Sequence, residues 1–573
     1  ISSNLWDNSN GGGTVYTLTG PGSSVGTFDM SSTQGNGPGL VLYNSANTVP
    51  SFQTYNFNAT NSYVYFRESA AVTIPVIASG YGNLWIDNNT NLTFGAAGNL
   101  LIKGTLNVNA NTFDDKGYTI SVNGNLQLSS QSYNSFCKSS VAGGNILLTG
   151  GSVQHNITNN TTNNNVDNLT LNDPLGANVA NSFVINKALN LVQGNLQLSS
   201  VDFYLSGTIG NNGGFLYCNN SSSNIHLQSA TTPFGTLNFA TGGQTLNYLE
   251  LNNSIATVIN LGSNLTINAN GRGLYMSNKG LLVLGNNNLT LGSTAYIDQG
   301  GNTNLMVVAD ATSGATGQLM KTYPTTPYSM WFPIGDMSGT TEYSPIYITN
   351  FNSTISRTIG VNVNNTHNSN DASVNNYLNR FWNFTDNQAG NGSYTYQVDF
   401  YPVTADIQTT SSNYGNINMN WWSGSAWNPV TTARPGSSGS PDYQIAGMTQ
   451  TTAPLGNTSG AVQYAGLVSS SSGAYVWQPT SGSADWTVPT NWSPARNFPY
   501  ATDILKFTNG GTTVAYNVPT QTIAQLLVDN TNIGANGNTN VTLQAASGGG
   551  NTLTNNGNTA TTNLSVAANA TLQ

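Results

Sequence analysis

Apolar residues recur two apart along much of this chain, inside a short phrase of Asn or Thr, Leu, any residue, then an aliphatic or aromatic residue. It reads Asn83-Leu84-Trp85-Ile86, Asn91-Leu92-Thr93-Phe94, Thr105-Leu106-Asn107-Val108 and Asn125-Leu126-Gln127-Leu128, and returns as Asn145-Ile146-Leu147-Leu148, Asn168-Leu169-Thr170-Leu171 and Asn195-Leu196-Gln197-Leu198. Further copies start at Asn224, Asn264 and Asn288. A spacing of two places both apolar side chains on one face of a strand and the intervening Asn, Thr or Gln on the other. Several consecutive copies start roughly 20 to 29 residues apart, the length of one turn of a β-solenoid. Stacking such turns in parallel buries a continuous aliphatic column, and Gly or Asn at the corners (Gly104, Asn123, Gly124, Gly285, Asn286) is expected to supply positive φ angles. Asn residues in aligned coils are candidates for side-chain ladders.

The pattern changes near residue 305. Pro, aromatic and charged residues become denser through Trp331-Phe332-Pro333-Ile334-Gly335-Asp336 and Tyr343-Ser344-Pro345. Alternating runs such as Tyr394-Thr395-Tyr396-Gln397-Val398-Asp399-Phe400, separated by turn signals, then read as an antiparallel β-sandwich with Trp382, Phe384 and Phe400 in its core. After Ser469-Ser470-Ser471-Ser472-Gly473 the solenoid phrasing returns at Leu526-Leu527-Val528, Val541-Thr542-Leu543 and Asn563-Leu564-Ser565-Val566. The expected architecture is therefore all-β: a parallel β-helix or β-solenoid over 1–305, an antiparallel β-sandwich over 306–470, and the start of a second β-solenoid over 475–573. Within 1–305 the first ~70 residues have a second reading, an irregular cap or earlier module. Because the pattern still runs at Thr571-Leu572-Gln573, the natural polypeptide is expected to continue or to be capped by another subunit.

Composition narrows the class. Only 6% of the residues are Asp, Glu, Lys or Arg, against about 25% in an ordinary globular protein, so the surface is made of uncharged polar side chains. Asn, Ser, Thr and Gly disfavour helices, while 38% hydrophobic and 10% aromatic residues argue against disorder. The net charge of −9 is scattered and offers no basic stripe, so no nucleic-acid partner is expected. No run approaches the roughly 18 apolar residues of a membrane helix, and Ile1 does not begin a signal peptide, as expected of a mature or excised segment. Cys137 and Cys218, the two cysteines, fit either one disulfide or two inert core thiols.

Four stretches carry a resemblance. They are Gly104-Thr105-Leu106-Asn107-Val108 running on through Thr112-Phe113-Asp114-Asp115-Lys116-Gly117-Tyr118-Thr119-Ile120-Ser121-Val122-Asn123-Gly124, then Leu148-Thr149-Gly150-Gly151-Ser152-Val153-Gln154-His155, then Phe332-Pro333-Ile334-Gly335-Asp336 with Tyr343-Ser344-Pro345, and Asp485-Trp486 through Asn491-Trp492-Ser493-Pro494. In these the chain resembles the large repeat-rich cell-surface adhesins of Bacteroidota exported by the type IX secretion system. The resemblance implies extracellular display in association with the outer membrane, attachment or motility-linked adhesion, and the outer-membrane secretion and anchoring machinery as a partner. The C-terminal sorting domain of that export route is not recognisable in this sequence.

The candidate chemistry is sparse. Asp114-Asp115, the one adjacent acidic pair, sits before Gly117 as turn-capping aspartates do. His155, His226 and His367 are far apart, and His155 follows a Gly-Gly-Ser-Val-Gln corner with no carboxylate or nucleophile adjacent in sequence. Gly11-Gly12-Gly13 and Gly548-Gly549-Gly550 lack the Lys-Ser/Thr ending of a phosphate cradle. Abundant Asn-X-Ser/Thr matches follow from composition. Trp422 and Trp427 are the candidate carbohydrate-binding residues, since aromatic faces stack on sugars, and period two puts Trp421 on the opposite face from Trp422; packing in the sandwich core is the favoured alternative. Asp336 and Glu342 flank a turn and are the candidate metal ligands, with calcium the only cofactor considered; turn capping is again favoured. The function expected is a non-catalytic extracellular structural or adhesive protein, a rigid rod roughly 60 Å long displaying binding surfaces toward glycans or other extracellular polymers. The alternatives are a carbohydrate-active or carbohydrate-binding β-helix protein and a self-assembling surface fibre subunit formed by homo-assembly.

Overall fold

A chain of Leu-x-Leu phrases separated by Gly and Asn has little choice but to form short strands, and the computed structural model is all-β. It describes residues 5–7, 21–22, 24–31, 39–43, 49–57, 62–67, 70–87, 92–109, 111–129, 135–160, 164–219, 222–230, 233–298, 301–371, 376–408, 417–430, 432–433, 443–458, 460–468, 474–496, 499, 503–546, 550–555 and 563–573. Asn91, Gly11-Gly12-Gly13, Gly548-Gly549 and the 469–473 stretch lie outside them. The chain divides into two units, Ile1–Ala309 with Ala315–Thr322, and Asp310–Gly314 with Tyr323–Gln573.

The first unit is a parallel β-solenoid of three ladders. Fourteen strands, from Leu5–Asp7 to Leu319–Tyr323, hydrogen-bond in parallel to form the first. A second runs from Thr73–Ile74 to Tyr296–Asp298, and a third from Leu100–Ile102 to Leu305–Val308. The register carries the phrase from coil to coil. Leu84, Leu106, Leu126 and Ile157 stand directly above one another, all fully buried, while Trp85, Asn107, Gln127 and Thr158 form the adjacent outward column. Each Leu or Ile removed from water in this way is stabilising by about 1.5–3 kcal/mol.

The Asn that opens the phrase does more than face water. The Asn83 side-chain carbonyl accepts from the Thr105 backbone N–H at 2.7 Å, Asn125 from Asn156 at 2.8 Å, Asn264 from Asn288 at 2.8 Å, and Asn288 from Gln318 at 2.9 Å. Each bond joins a corner of one coil to the corner of the next, where the backbone turns and strand pairing lapses. An amide is suited to this task because it satisfies a backbone donor without bringing a charge into a half-buried seam.

One expectation is corrected. Of the five corner residues only Gly285, at φ +56, adopts a positive φ; Gly104, Asn123, Gly124 and Asn286 do not, and Gly124 is small because a Cβ there would lie 2.5 Å from the Gly104 carbonyl oxygen of the coil below. Parallel pairing is present within the first ~70 residues, where Gly39–Tyr43 pairs with Tyr63–Arg67 and that strand with Asn83–Asp87. Here Tyr63-Val64-Tyr65-Phe66 supplies the alternation without the Asn-Leu phrase. Cys137 and Cys218 are both free and buried, and burial pushes both thiols far above their usual range.

In the second unit the pairing turns antiparallel. Ile346–Ser353 lies between Tyr328–Phe332 and Tyr394–Phe400, which continues to Tyr443–Thr449. A separate set joins Arg357–Asn364, Phe381–Asp386, Val462–Val468 and Ile417–Trp422. Trp382, Phe384 and Phe400 are fully buried, with Phe400 centred 5.0 Å from Trp382 and 6.1 Å from Phe384. From Ala474 on, parallel pairing resumes through Ala474–Trp477, Ile504–Phe507, Gln525–Val528 and Leu564–Val566, over a core containing Trp477, Trp486, Trp492 and Phe507.

Candidate functional site

Trp422 and Trp427 face each other across the Ile417–Trp422 and Trp427–Pro429 strands. Their ring centres are 5.2 Å apart at an interplanar angle of 55°. Trp427 is nearly buried against Phe381, Ala465 and Leu467 and donates its indole N–H to the Asn370 carbonyl at 2.8 Å. Trp422 is half-buried beside it, and Trp421 donates instead to the Thr452 carbonyl at 3.0 Å. Trp427 thus belongs to an apolar cluster, and Trp422 packs against that cluster with part of its surface left open.

Trp422 also lines a cavity of about 370 Å³ whose far wall is formed by Trp486, Arg496 and Gln521 together with Pro489, Pro499 and Pro519. Arg496 is buried and held in place: its Nε donates to Asp503 at 2.8 Å and one terminal nitrogen donates to the Gln521 side-chain carbonyl at 3.1 Å. Burial pulls the Arg496 guanidinium below its ordinary range, with Asp503 opposing that shift. The Trp486 indole nitrogen and the Gln521 amide nitrogen have no hydrogen-bond partner among the described residues. Sequence reasoning found Trp422 and Trp427 but missed this wall. Its residues lie about 60 to 100 positions downstream, in a stretch whose tryptophans read only as a family likeness.

Asp336 and Glu342 do come together as cross-strand partners, and what they face is a guanidinium. Arg380, fully buried, donates to Asp336 at 2.5 Å, to Asp406 at 2.5 Å and to Glu342, while Asn365 bridges Asp336 and Glu342 at 3.0 Å each. Burial raises the Glu342 and Asp406 carboxyls, and Arg380 opposes it. The position between the two expected ligands is thus taken by an arginine, and no group of three or more His, Cys, Asp or Glu among the described residues is placed to hold a metal ion. Nothing in the one-dimensional pattern tied Arg380 to the turn that precedes it by some 40 residues.

Asp114 and Asp115 cap their turn, accepting from the Lys116 and Gly117 backbone N–H groups at 3.0 and 2.9 Å. The histidines differ from their sequence reading, since each has a carboxylate neighbour. His155 is buried between the Gly124 carbonyl and Asp173, the latter at 3.1 Å. His226 lies 2.6 Å from Glu250 and 3.4 Å from Asp202 and stacks on Tyr204 at 4.3 Å. His367 bonds Asp371 at 2.7 Å and stacks on Tyr377 at 3.8 Å. For the first two the carboxylate sits on a neighbouring coil, 18 to 24 residues away, where no local motif reveals it. In each pair the carboxylate hydrogen-bonds a ring nitrogen and so orients the imidazole. The chain matches no protein-family model, no curated protein and no solved structure.

Proposed function

We propose that this chain is a non-catalytic extracellular structural or adhesive protein, displayed on a bacterial cell surface, in which stacked coils hold binding surfaces away from the cell. The observation that carries the reading is the three-ladder solenoid with its buried aliphatic column and amide-bridged corners. Such a scaffold adds about 4.8 Å per coil and stiffens by repetition. Its few charges make its contacts comparatively insensitive to salt. In this reading the antiparallel sheets of the second unit form a β-sandwich and the parallel strands after Ala474 begin a second solenoid arm. Antibody labelling of intact cells tests surface display: labelling without permeabilisation is expected, and labelling only after permeabilisation refutes it.

A second reading, carbohydrate binding, is favoured by one observation, the half-buried Trp422 in the lining of a cavity. Aromatic faces receive the C–H faces of sugars while nearby polar groups receive hydroxyls. Pull-down of the full chain on insoluble neutral polysaccharides, compared with Trp422→Ala, tests it. Retention by the parent and loss in the variant support the reading; equal retention, or none, removes it.

A further inference from the structure

We infer that the outer face of the first ladder carries a glycan site, a groove between two coils that takes a neutral oligosaccharide with its C–H faces against Phe215 and Tyr217 and its hydroxyls on the amides of Asn195 and Gln197. The inference rests on the reading of the solenoid as a carrier of binding surfaces, and it names one such surface and its ligand class, apart from Trp422. Asn195–Leu198 and Phe215–Asn219 are neighbouring parallel strands, with Asn195 opposite Phe215 and Gln197 opposite Tyr217. Leu196, Leu198, Leu216 and Cys218 are buried in the spine. Strand alternation therefore turns the other four side chains outward, and each is partly open to solvent. Together with Gln154, Pro174 and Leu175 they line a groove of about 520 Å³, with Leu175 47% exposed at its edge.

This stretch differs from the rest of the ladder in what its amide does. Asn83, Asn125, Asn264 and Asn288 use the side-chain carbonyl to receive a backbone N–H of the next coil. At Asn195 the N–H in the equivalent place, that of Phe215, is donated to the Gly194 carbonyl at 3.0 Å, and the Asn195 side-chain amide has no hydrogen-bond partner among the described residues. Both its donor and its acceptor are left at an open surface, a combination that sugar hydroxyls, which donate and accept, can satisfy. Tyr217 is held from the coil above, since a Cβ on Gly243 would lie 2.4 Å from its ring, and a platform fixed before binding loses less freedom on binding. The lining contains no Asp, Glu, Lys, Arg or His, so an ionic ligand meets no opposite charge there. Aromatic rings and uncharged amides instead match the C–H faces and hydroxyls of a neutral sugar, and about 520 Å³ is within the ~300–1,000 Å³ range of small-ligand sites.

The test uses the full chain in a Trp422→Ala background, so that the second unit does not contribute, with cellotetraose, chitotetraose, mannotetraose and the anionic trigalacturonate as probes, read by saturation-transfer NMR and isothermal calorimetry. Saturable binding of at least one neutral probe in the millimolar range is expected, weakened about tenfold or more by Tyr217→Ala and by Asn195→Leu. Thr290→Ala, outward on the same ladder several coils away, should leave it unchanged. Because the Asn195 side chain makes no bond within the described chain, Asn195→Leu should melt with the parent and decides the matter should Tyr217→Ala melt early. Equal binding by the parent and both variants overturns the assignment to this groove. Stronger saturation by trigalacturonate than by any neutral probe overturns the neutral class. A concentration-dependent dimer that Tyr217→Ala abolishes makes the groove a contact between copies and overturns the inference. No saturation by any probe overturns the glycan site, and antibody labelling of intact cells separately decides surface display.

Discussion

Asn253 offers the sharpest test of the claim that amide side chains hold the coils together. It is fully buried at a corner between the Tyr248–Leu251 and Val258–Leu261 strands. Its carbonyl accepts the Ser229 backbone N–H of the coil below at 2.8 Å, and its amide donates to the Lys279 carbonyl of the coil above at 3.0 Å. Asn253→Leu keeps the number of side-chain heavy atoms and removes both bonds. The Lys279 carbonyl keeps the Asn253 backbone N–H at 3.2 Å, so one buried donor is left unsatisfied at about 1–3 kcal/mol and one further bond is lost at about 0.5–1.5 kcal/mol, of which the added apolar burial offsets about 1–2 kcal/mol. A net loss of about 1.5 kcal/mol, the middle of those ranges, corresponds to roughly tenfold in a local opening equilibrium. Because each coil contacts only its neighbours, the assay is hydrogen exchange resolved by peptide rather than a single melt. Protection should fall in the peptides containing Ser229 and Lys279 and stay unchanged several coils away. The control is Asn212→Leu at an exposed corner, expected to change stability by less than about 0.5 kcal/mol. Should Asn253→Leu behave like this control, the amide bridges are incidental and the coils are held by apolar stacking and strand pairing alone.

Arg380→Leu leaves Asp336, Glu342 and Asp406 facing one another without their cation and should destabilise the second unit by about 3–5 kcal/mol in urea unfolding, with no rescue by Arg380→Lys, whose single ammonium cannot reach all three. Calcium at millimolar concentration, or its removal by a chelator, should leave the thermal melt of that unit unchanged; a rise with calcium that disappears in Asp336→Asn would restore the metal reading. Burial pulls the Lys321 ammonium down to about 7, although three carbonyls receive its N–H groups at 2.6–2.9 Å. The unfolded chain therefore holds this proton up to about 10.5 while the folded one releases it near 7, so the first unit should gain stability as pH rises between those values and Lys321→Met should flatten that slope in denaturant titrations at pH 6.5 and 9.5.

What could be read from the sequence was whatever repeats locally. Leu84, Leu106 and Leu126 announce their alignment because each phrase is a strand on its own, and strand periodicity survives insertions between coils. Trp382, Phe384 and Phe400 were placed in the core by the same logic of alternating runs. Contacts made across coils or across sheets were not legible. Gly124 is small for the sake of Gly104 beneath it, His155 meets Asp173 only after a full turn of chain, and Arg380 reaches Asp336 and Asp406 from opposite directions along the sequence. The cavity shows the same division: Trp422 and Trp427 are neighbours across a hairpin, whereas Trp486 and Gln521 join them only through tertiary packing.

The tight seat of Gly124 on the coil below also bears on how this protein ages. Asn-Gly pairs are the places where a side-chain amide is most readily lost, because the following backbone nitrogen swings in and closes a five-membered imide. At Asn123-Gly124 that nitrogen is donated to the Gly104 carbonyl at 3.1 Å, and at Asn509-Gly510 it is donated to the Thr539 hydroxyl at 3.1 Å. At these two pairs the stacking of neighbouring turns occupies the very nitrogen that would close the imide, so loss of the amide there waits on the turns parting.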